Sequence, residues 1–120
     1  MEKASLKRWI FGFGAGNYET LMKSLKLGVH ETSAHNLYLR LFVENGILGL
    51  SFFLLFVLAI FRHLYSFVKN KKDFYSKSLG ILLMALISGT LLGASFFIDT
   101  LHWRHLWFTL GMAMALPTTP

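Results

Sequence analysis

The chain has 120 residues, of which 54% are hydrophobic and 15% are charged, and it carries a formal net charge of +6. Since soluble domains are typically about 25% charged, this composition favours a membrane protein. The sequence contains no cysteine, which excludes a disulfide framework, a thiolate metal site and a cysteine nucleophile.

Residues 1–33 are predicted to form an extracytoplasmic or interfacial segment. The apolar stretch at residues 9–13 is too short to be the core of a signal peptide. Glycines stand at Gly12, Gly14 and Gly16, but a dinucleotide fingerprint needs its third glycine at position 17, where this chain has Asn17. We therefore expect these glycines to supply tight turns with positive φ. An anion bound by the backbone N–H groups of the loop is the alternative.

A short amphipathic helix is predicted over residues 19–27, where leucine and methionine alternate with two lysines. Gly28 is expected to end it. Residues 29–33 then connect it to the next helix, with Thr32 or Ser33 as the predicted cap.

Two uncharged runs, residues 45–61 and 78–98, predict membrane helices, because about 20 apolar residues cross a bilayer. Extended towards its N-terminus, the first helix runs over about 34–65 and is roughly 47 Å long. That length exceeds the roughly 30 Å of hydrocarbon in a bilayer, so the first turns are expected to protrude into water.

The protruding turns carry His35, Arg40 and Glu44. Arg40 and Glu44 are four residues apart and are expected to pair. His35 shares a helical stripe with Leu39, Phe42 and Gly46, which is expected to face neighbouring helices.

The segment between the two runs is strongly basic. It holds five positive charges and one negative charge, a net of +4, at Arg62, Lys69, Lys71, Lys72, Lys77 and Asp73. Short loops rich in lysine and arginine stay in the cytoplasm, so both His35 and residues 99–105 are predicted to face outwards. A nucleic-acid patch is disfavoured because no groove-reading element surrounds the basic run.

The second run carries small residues every four positions at Ala85, Gly89 and Gly93, which predicts a helix-packing face. After it, Asp99, His102, Arg104 and His105 gather beside two tryptophans of the kind that anchor helices at an interface; these are Trp103 and Trp107.

The predicted fold is thus an all-α integral membrane protein. It has two clear transmembrane helices, at about 34–65 and 78–98, followed by a short third helix at 101–116. Residues 117–120 form a tail. With Met1 as the start, about thirty residues with several positive charges would have to cross the membrane against the charge bias. We therefore expect the chain to be a fragment that lacks upstream spans.

Residues His35 and Asn36, nine further residues, and then Gly46-Ile47-Leu48-Gly49 form a spaced motif. This motif resembles the signature of the O-antigen ligase and O-antigen polymerase superfamily, bacterial membrane glycosyltransferases that use polyprenyl-diphosphate-linked glycans. Residues 12–18, which include the glycine-rich segment at 12–16, resemble the stretch that those proteins place before the histidine. The resemblance covers most of this chain but only about the C-terminal third of the family's usual length.

The resemblance implies a multi-pass protein of the bacterial inner membrane with the His35 end outside the cytoplasm. Its expected partners are a polyprenyl-diphosphate-linked glycan donor, a lipid, glycan or protein acceptor, and missing upstream helices or a partner membrane protein. It implies no cofactor, no metal and no nucleic acid. It places the catalytic histidine at His35, with Asn36, Gly46, Gly49, Gly12, Gly14 and Gly16 as motif positions.

The chemistry of glycan transfer suits these residue types. A neutral imidazole, with an ordinary pKa near 6.5, can deprotonate an acceptor hydroxyl or orient it. Guanidinium groups bind phosphate oxygens in a bidentate geometry, so Arg40 and Arg104 are the predicted diphosphate partners.

Each assignment has an alternative. His35 could cap a helix, Arg40 could only pair with Glu44, and Arg104 could bind lipid headgroups or Asp99. A metal site on the histidines is disfavoured, because no carboxylate or cysteine completes a ligand pattern. For the whole chain, the alternative to a glycosyltransferase is a non-catalytic helical membrane protein that packs with a partner.

Overall fold

The computed structural model describes residues 2–24, 36–96 and 104–117. Within this part of the chain there are five helices and no strand, which confirms the all-α prediction. The helices are α1 (Glu2–Phe11), α2 (Tyr18–Ser24), α3 (Leu37–Asn70), α4 (Phe74–Phe96) and α5 (Arg104–Ala115). The chain divides into two compact units: Met1–Leu54 with Ala94–Asp99, and Leu55–Gly93 with Thr100–Pro120.

Two helices, α3 and α4, are long and apolar enough to cross a membrane. Only 17% of the most apolar stretch of α3 and 28% of that of α4 is buried inside the protein. Most of their apolar surface therefore faces outwards, unlike that of a core helix in a soluble protein. By contrast, α5 has 12 residues, or about 18 Å of helix, which is short of the roughly 30 Å of hydrocarbon.

Helix α3 is not continuous. Gly46 has φ 67° and ψ −169°, so two helical pieces meet there. The longer piece, from Ile47 to Asn70, is about 36 Å long and can cross a bilayer by itself. The sequence predicted an unbroken helix that ended near Tyr65, whereas α3 ends at Asn70.

In the first unit, α1 and the glycine-rich segment pack on the short N-terminal piece of α3. The Trp9 and Phe42 rings lie 5.5 Å apart between centroids. The residues of this piece that are buried are Leu37, Leu41 and Glu44, which recur at helical spacing and so form one inward face.

In the second unit, α3, α4 and α5 each contribute an apolar stripe to one core. The buried side chains are Ile60, Leu64, Phe67, Leu83, Ile87, Leu91, Leu106, Leu110 and Ala113. Gly80 allows α4 to approach α3, because a Cβ there would lie within van der Waals overlap of Phe67 and Val68.

The turn between α3 and α4 is closed by Asp73. Its Oδ2 accepts a hydrogen bond of 2.7 Å from the backbone N–H of Ser76, so Asp73 caps α4. Hydrogen bonds from the Ser76 side chain and backbone hold the pKa of this carboxyl below its ordinary value, and Lys71 lowers it further.

Candidate functional site

The glycine-rich segment after α1 follows a backbone path that other residues rarely adopt. Gly12, Gly14 and Gly16 have φ of 77°, 97° and 78°, in the region that side-chain-bearing residues avoid. This confirms the prediction of tight turns with positive φ.

This segment is hydrogen-bonded to the end of the first piece of α3. The Phe13 N–H donates to the Val43 carbonyl and the Gly14 N–H to the Glu44 carbonyl, each at 2.9 Å. In an unbroken helix these carbonyls would accept from residues 47 and 48. Because the helix breaks at Gly46, the glycine-rich segment supplies donors to carbonyls at the break.

Two glycines allow the two backbones to meet. A Cβ on Gly12 would overlap the carbonyl group of Glu44, and a Cβ on Gly46 would overlap the carbonyl group of Ile10. Both positions also have positive φ. Glycine is therefore required at each of them on two independent grounds, space and backbone conformation.

The second glycine of the motif, Gly49, has a different reason to be small. It lies inside the helix, and a Cβ there would overlap the Cβ of Asn45. The non-helical turn at Gly46 brings the Asn45 side chain over the next turn of the helix. The spacing Gly46-x-x-Gly49 is thus explained by the kink and by the side chain that the kink redirects.

The segment is also closed on itself. The Asn17 side-chain amide donates to the Phe13 carbonyl at 3.0 Å, and its backbone N–H donates to the Gly14 carbonyl at 3.3 Å. The Arg8 guanidinium lies 5.3 Å from the centre of the Phe13 ring. The N–H groups of Gly12, Phe13, Gly14 and Asn17 all donate to protein carbonyls, so these four are not donors for the anion-binding alternative.

Asn36 caps the long helix. Its Oδ1 accepts from the Leu39 N–H at 3.0 Å, and its carbonyl accepts from the Arg40 N–H at 3.1 Å. This is the geometry of an N-cap asparagine. The residues that the sequence predicted as the cap, Thr32 and Ser33, lie outside the described residues, and α3 begins at Leu37, directly after Asn36.

Arg40 and Glu44 form the predicted pair. The Arg40 Nε donates to Glu44 Oε1 at 3.1 Å, with the side chains 16% and 4% exposed. Glu44 was expected to protrude with the first turns, but it belongs to the inward face with Leu37 and Leu41. A buried carboxylate needs a charged partner, and Arg40 supplies it.

Two of the three described residues of the predicted stripe face α1. Phe42 is half-buried against Trp9, and a Cβ on Gly46 would overlap the carbonyl group of Ile10. Leu39, by contrast, is 48% exposed. The stripe therefore faces a neighbouring helix in part, while Leu37, Leu41 and Glu44 form the buried face of this piece.

The predicted catalytic residue His35 lies outside the described residues, as do Asp99, His102 and Trp103. Arg40 belongs to the first unit, together with Asn36 and the motif glycines. Arg104 is exposed at the first residue of α5 and belongs to the second unit. In residues 2–24, 36–96 and 104–117, no group of three histidine or acidic side chains is arranged to hold a metal.

Sequence reasoning did not single out His63. Its Nε2 lies 3.0 Å from the Leu116 carbonyl, and its ring lines a groove with Arg62, Ser66 and Asn70. The available signal was a polar stripe at positions 62, 63, 66 and 70, which has helical spacing.

Comparisons with protein-family models, curated proteins and solved structures gave no match to this chain.

Proposed function

We propose that this chain is the C-terminal part of a membrane glycosyltransferase of the O-antigen ligase or polymerase type. It would lie in the bacterial inner membrane with the Asn36 end of α3 outside the cytoplasm. The reaction moves a glycan from a polyprenyl-diphosphate carrier to a lipid, glycan or protein acceptor, and it needs no cofactor.

The observation that carries this proposal is the interlock between the two stretches on which the resemblance rests. The glycine-rich segment and the motif around Gly46 are about thirty residues apart in sequence, yet their backbones bond to each other through Phe13 and Gly14. Each motif position that the structure describes between Asn36 and Gly49 has a definite role in this arrangement. A coincidental match of spaced residues would not be expected to form one structural unit.

The geometry supports a division of roles at this end of α3. His35 directly precedes the cap residue Asn36, and the Arg40 N–H bonds to the Asn36 carbonyl one turn further on. A histidine at this position can take the proton of the acceptor hydroxyl. Arg40, oriented by buried Glu44, is suited to the departing diphosphate. Arg104 is proposed as the second cation on the chemistry of its guanidinium group alone.

Membrane insertion in the stated orientation is part of the proposal. It is supported by the two long, mostly outward-facing apolar helices and by the net charge of +4 between them.

The test is glycan transfer in a Gram-negative cell that lacks its own ligase and polymerase. The full reading frame that encodes this chain is compared with its His35→Ala variant, after equal membrane insertion is confirmed by fractionation. Because general acid–base catalysis contributes about 10²- to 10⁴-fold, we expect His35→Ala to reduce transfer by at least about 100-fold. Lys72→Gln, in the turn at the other end of α3, is the control and should retain transfer.

Arg40→Gln and Arg104→Gln are expected to reduce transfer without abolishing insertion. Normal transfer by His35→Ala, or no transfer by the unsubstituted protein, would contradict the proposed function.

One observation favours the second candidate, a non-catalytic protein that packs with a partner helix. Ala85, Gly89 and Gly93 are exposed on α4, and a Cβ on either glycine would meet no described atom within 4 Å. Small residues of this kind allow close helix contact in lipid. If Gly89→Leu abolished self-association in membranes while no glycan transfer was detected, this second function would replace the first.

A further inference from the structure

A groove of about 410 Å³ runs along the last turns of α3 in the second unit, lined by Ala59, Arg62, His63, Ser66 and Asn70. We propose that this groove binds the phosphate group of an anionic phospholipid, with Arg62 as the charged partner and Ser66 and Asn70 as hydrogen-bonding groups. The inference rests on the membrane insertion proposed above but not on glycan transfer.

The position of the groove along the helix fits a lipid. The uncharged run at 45–61 ends where Arg62 begins, and headgroup phosphates lie just beyond the hydrocarbon. From Ala59 to Asn70 the helix rises about 16 Å. The groove therefore begins at the apolar edge, where an acyl chain would lie, and continues through the depth of the headgroups.

The charge around the groove has the correct sign. Arg62 is exposed, and a guanidinium binds phosphate oxygens in a bidentate geometry. The adjoining turn adds Lys71 and Lys72. The single carboxylate of this turn, Asp73, accepts a hydrogen bond from the backbone N–H of Ser76 and caps α4. Its negative charge is therefore directed at the start of α4.

One wall of the groove is held in place by a long-range contact. His63 Nε2 lies 3.0 Å from the carbonyl of Leu116, which directly follows the end of α5 at Ala115. This bond fixes the ring of His63 and joins the wall of the groove to the packed helices. The lining residues all lie on α3, and this contact ties one of them, His63, to the end of α5.

The lining disfavours a metal ion. It contains one imidazole, one guanidinium, one hydroxyl and one carboxamide group. Divalent cations prefer carboxylates, thiolates or several imidazoles, and a guanidinium repels them.

The experiment measures lipid binding to the full chain, purified in a neutral detergent, by native mass spectrometry. Phosphatidylglycerol and phosphatidylcholine of matched acyl chains are titrated separately. We expect the wild-type chain to bind phosphatidylglycerol more tightly than phosphatidylcholine. Arg62→Gln should weaken phosphatidylglycerol binding about fivefold, since one basic contact near the membrane surface is worth about that factor.

Two further variants separate a shaped site from general attraction. Lys72→Gln removes the same charge from the adjoining turn, but Lys72 does not line the groove, so this variant should weaken phosphatidylglycerol binding much less than Arg62→Gln does. Ser66→Leu keeps Arg62 and fills the groove, so it should weaken phosphatidylglycerol binding as Arg62→Gln does. If Arg62→Gln cannot be purified, Ser66→Leu alone decides between a shaped site and general electrostatic attraction.

The inference would be overturned by equal binding of the two lipids, or by equal losses in Arg62→Gln and Lys72→Gln. Inorganic phosphate distinguishes the source of the anion. If millimolar phosphate displaces phosphatidylglycerol completely, the groove is a site for a soluble anion and the lipid assignment fails. Because the readout is lipid retention, it is independent of the outcome of the glycan-transfer test.

Discussion

The two units stabilise their parts of α3 in different ways. In the first unit, backbone meets backbone at Gly12 and Gly46, with no space for a side chain on either glycine. In the second unit, apolar side chains such as Ile60, Leu64 and Ile87 interlock and are fully buried. The first arrangement therefore depends on the absence of a side chain at Gly12 and Gly46, whereas the second depends on the volume of buried side chains.

The largest expected effect comes from adding a methyl group to the first unit. Gly46→Ala places a Cβ on the Ile10 carbonyl group and forces alanine to adopt φ 67°. We expect a loss of about 3 kcal/mol or more in stability, from backbone strain and overpacking together. Thermal unfolding in detergent measures it.

Gly89→Ala is the matched control for this prediction. Gly89 lies inside α4, and no described atom is within 4 Å of an added Cβ. Because alanine favours a helix over glycine by about 1 kcal/mol, this variant should be neutral or more stable. Equal destabilisation by the two substitutions would mean that the contact between Gly46 and the glycine-rich segment does not hold the first unit together.

The second unit should respond to a loss of volume. Leu64 is 0% exposed, and Leu64→Ala leaves a cavity among the three helices. We expect a loss of about 2 kcal/mol, at the low end for core leucines, because detergent or lipid weakens the hydrophobic term. Thermal unfolding in the same detergent measures it.

Leu58→Ala provides the comparison within the same helix. Leu58 is 64% exposed, so its truncation should cost less than about 1 kcal/mol. Leu64→Met keeps most of the volume and should also be tolerated. If Leu58→Ala were as destabilising as Leu64→Ala, the buried stripe would not be the core of the second unit.

The sequence predicted the features that depend on neighbouring residues, and it missed those that depend on contacts between distant parts of the chain. The long apolar helices follow from uncharged runs, and the Arg40–Glu44 pair follows from spacing of four residues, because both are properties of neighbouring residues. The kink at Gly46 depends on contacts with Ile10 and Gly12, which lie about 35 residues earlier in the sequence. A glycine within an apolar run gives no local sign of such a contact.

The burial of Glu44 was missed for a related reason. A charged residue near a helix start is expected to be solvated, whereas Glu44 is only 3% exposed, a property that depends on how the first unit packs. His63 was missed because the polar residues near the end of α3 look, in the sequence alone, like the beginning of a basic loop. Its contact with Leu116 lies 53 residues away in sequence.

A smaller effect is expected at the start of α3. Asn36→Ala removes the side-chain acceptor of the Leu39 N–H, which should cost about 1 kcal/mol, as for other N-cap residues. Asn36→Asp keeps an acceptor in place and should retain most of the stability. Unfolding midpoints of the two variants measure the difference. Equal losses in both would show that the Oδ1 of Asn36 does not cap the helix.

The smallest effect is expected at the cap of α4, and it should depend on pH. Hydrogen bonds from Ser76 hold the pKa of Asp73 below its ordinary value of 3.8. A carboxyl whose pKa is lower in the folded state stabilises the fold above its unfolded pKa, and this stabilisation is lost as the pH falls through the lowered value. Between about pH 5 and pH 3, the wild-type unfolding midpoint should therefore fall more steeply than that of Asp73→Asn, which keeps an acceptor but does not titrate. Parallel curves for the two proteins over this range would mean that the Asp73 carboxylate does not contribute to the α3–α4 turn, whereas a shallower curve for Asp73→Asn would assign that pH dependence to the cap.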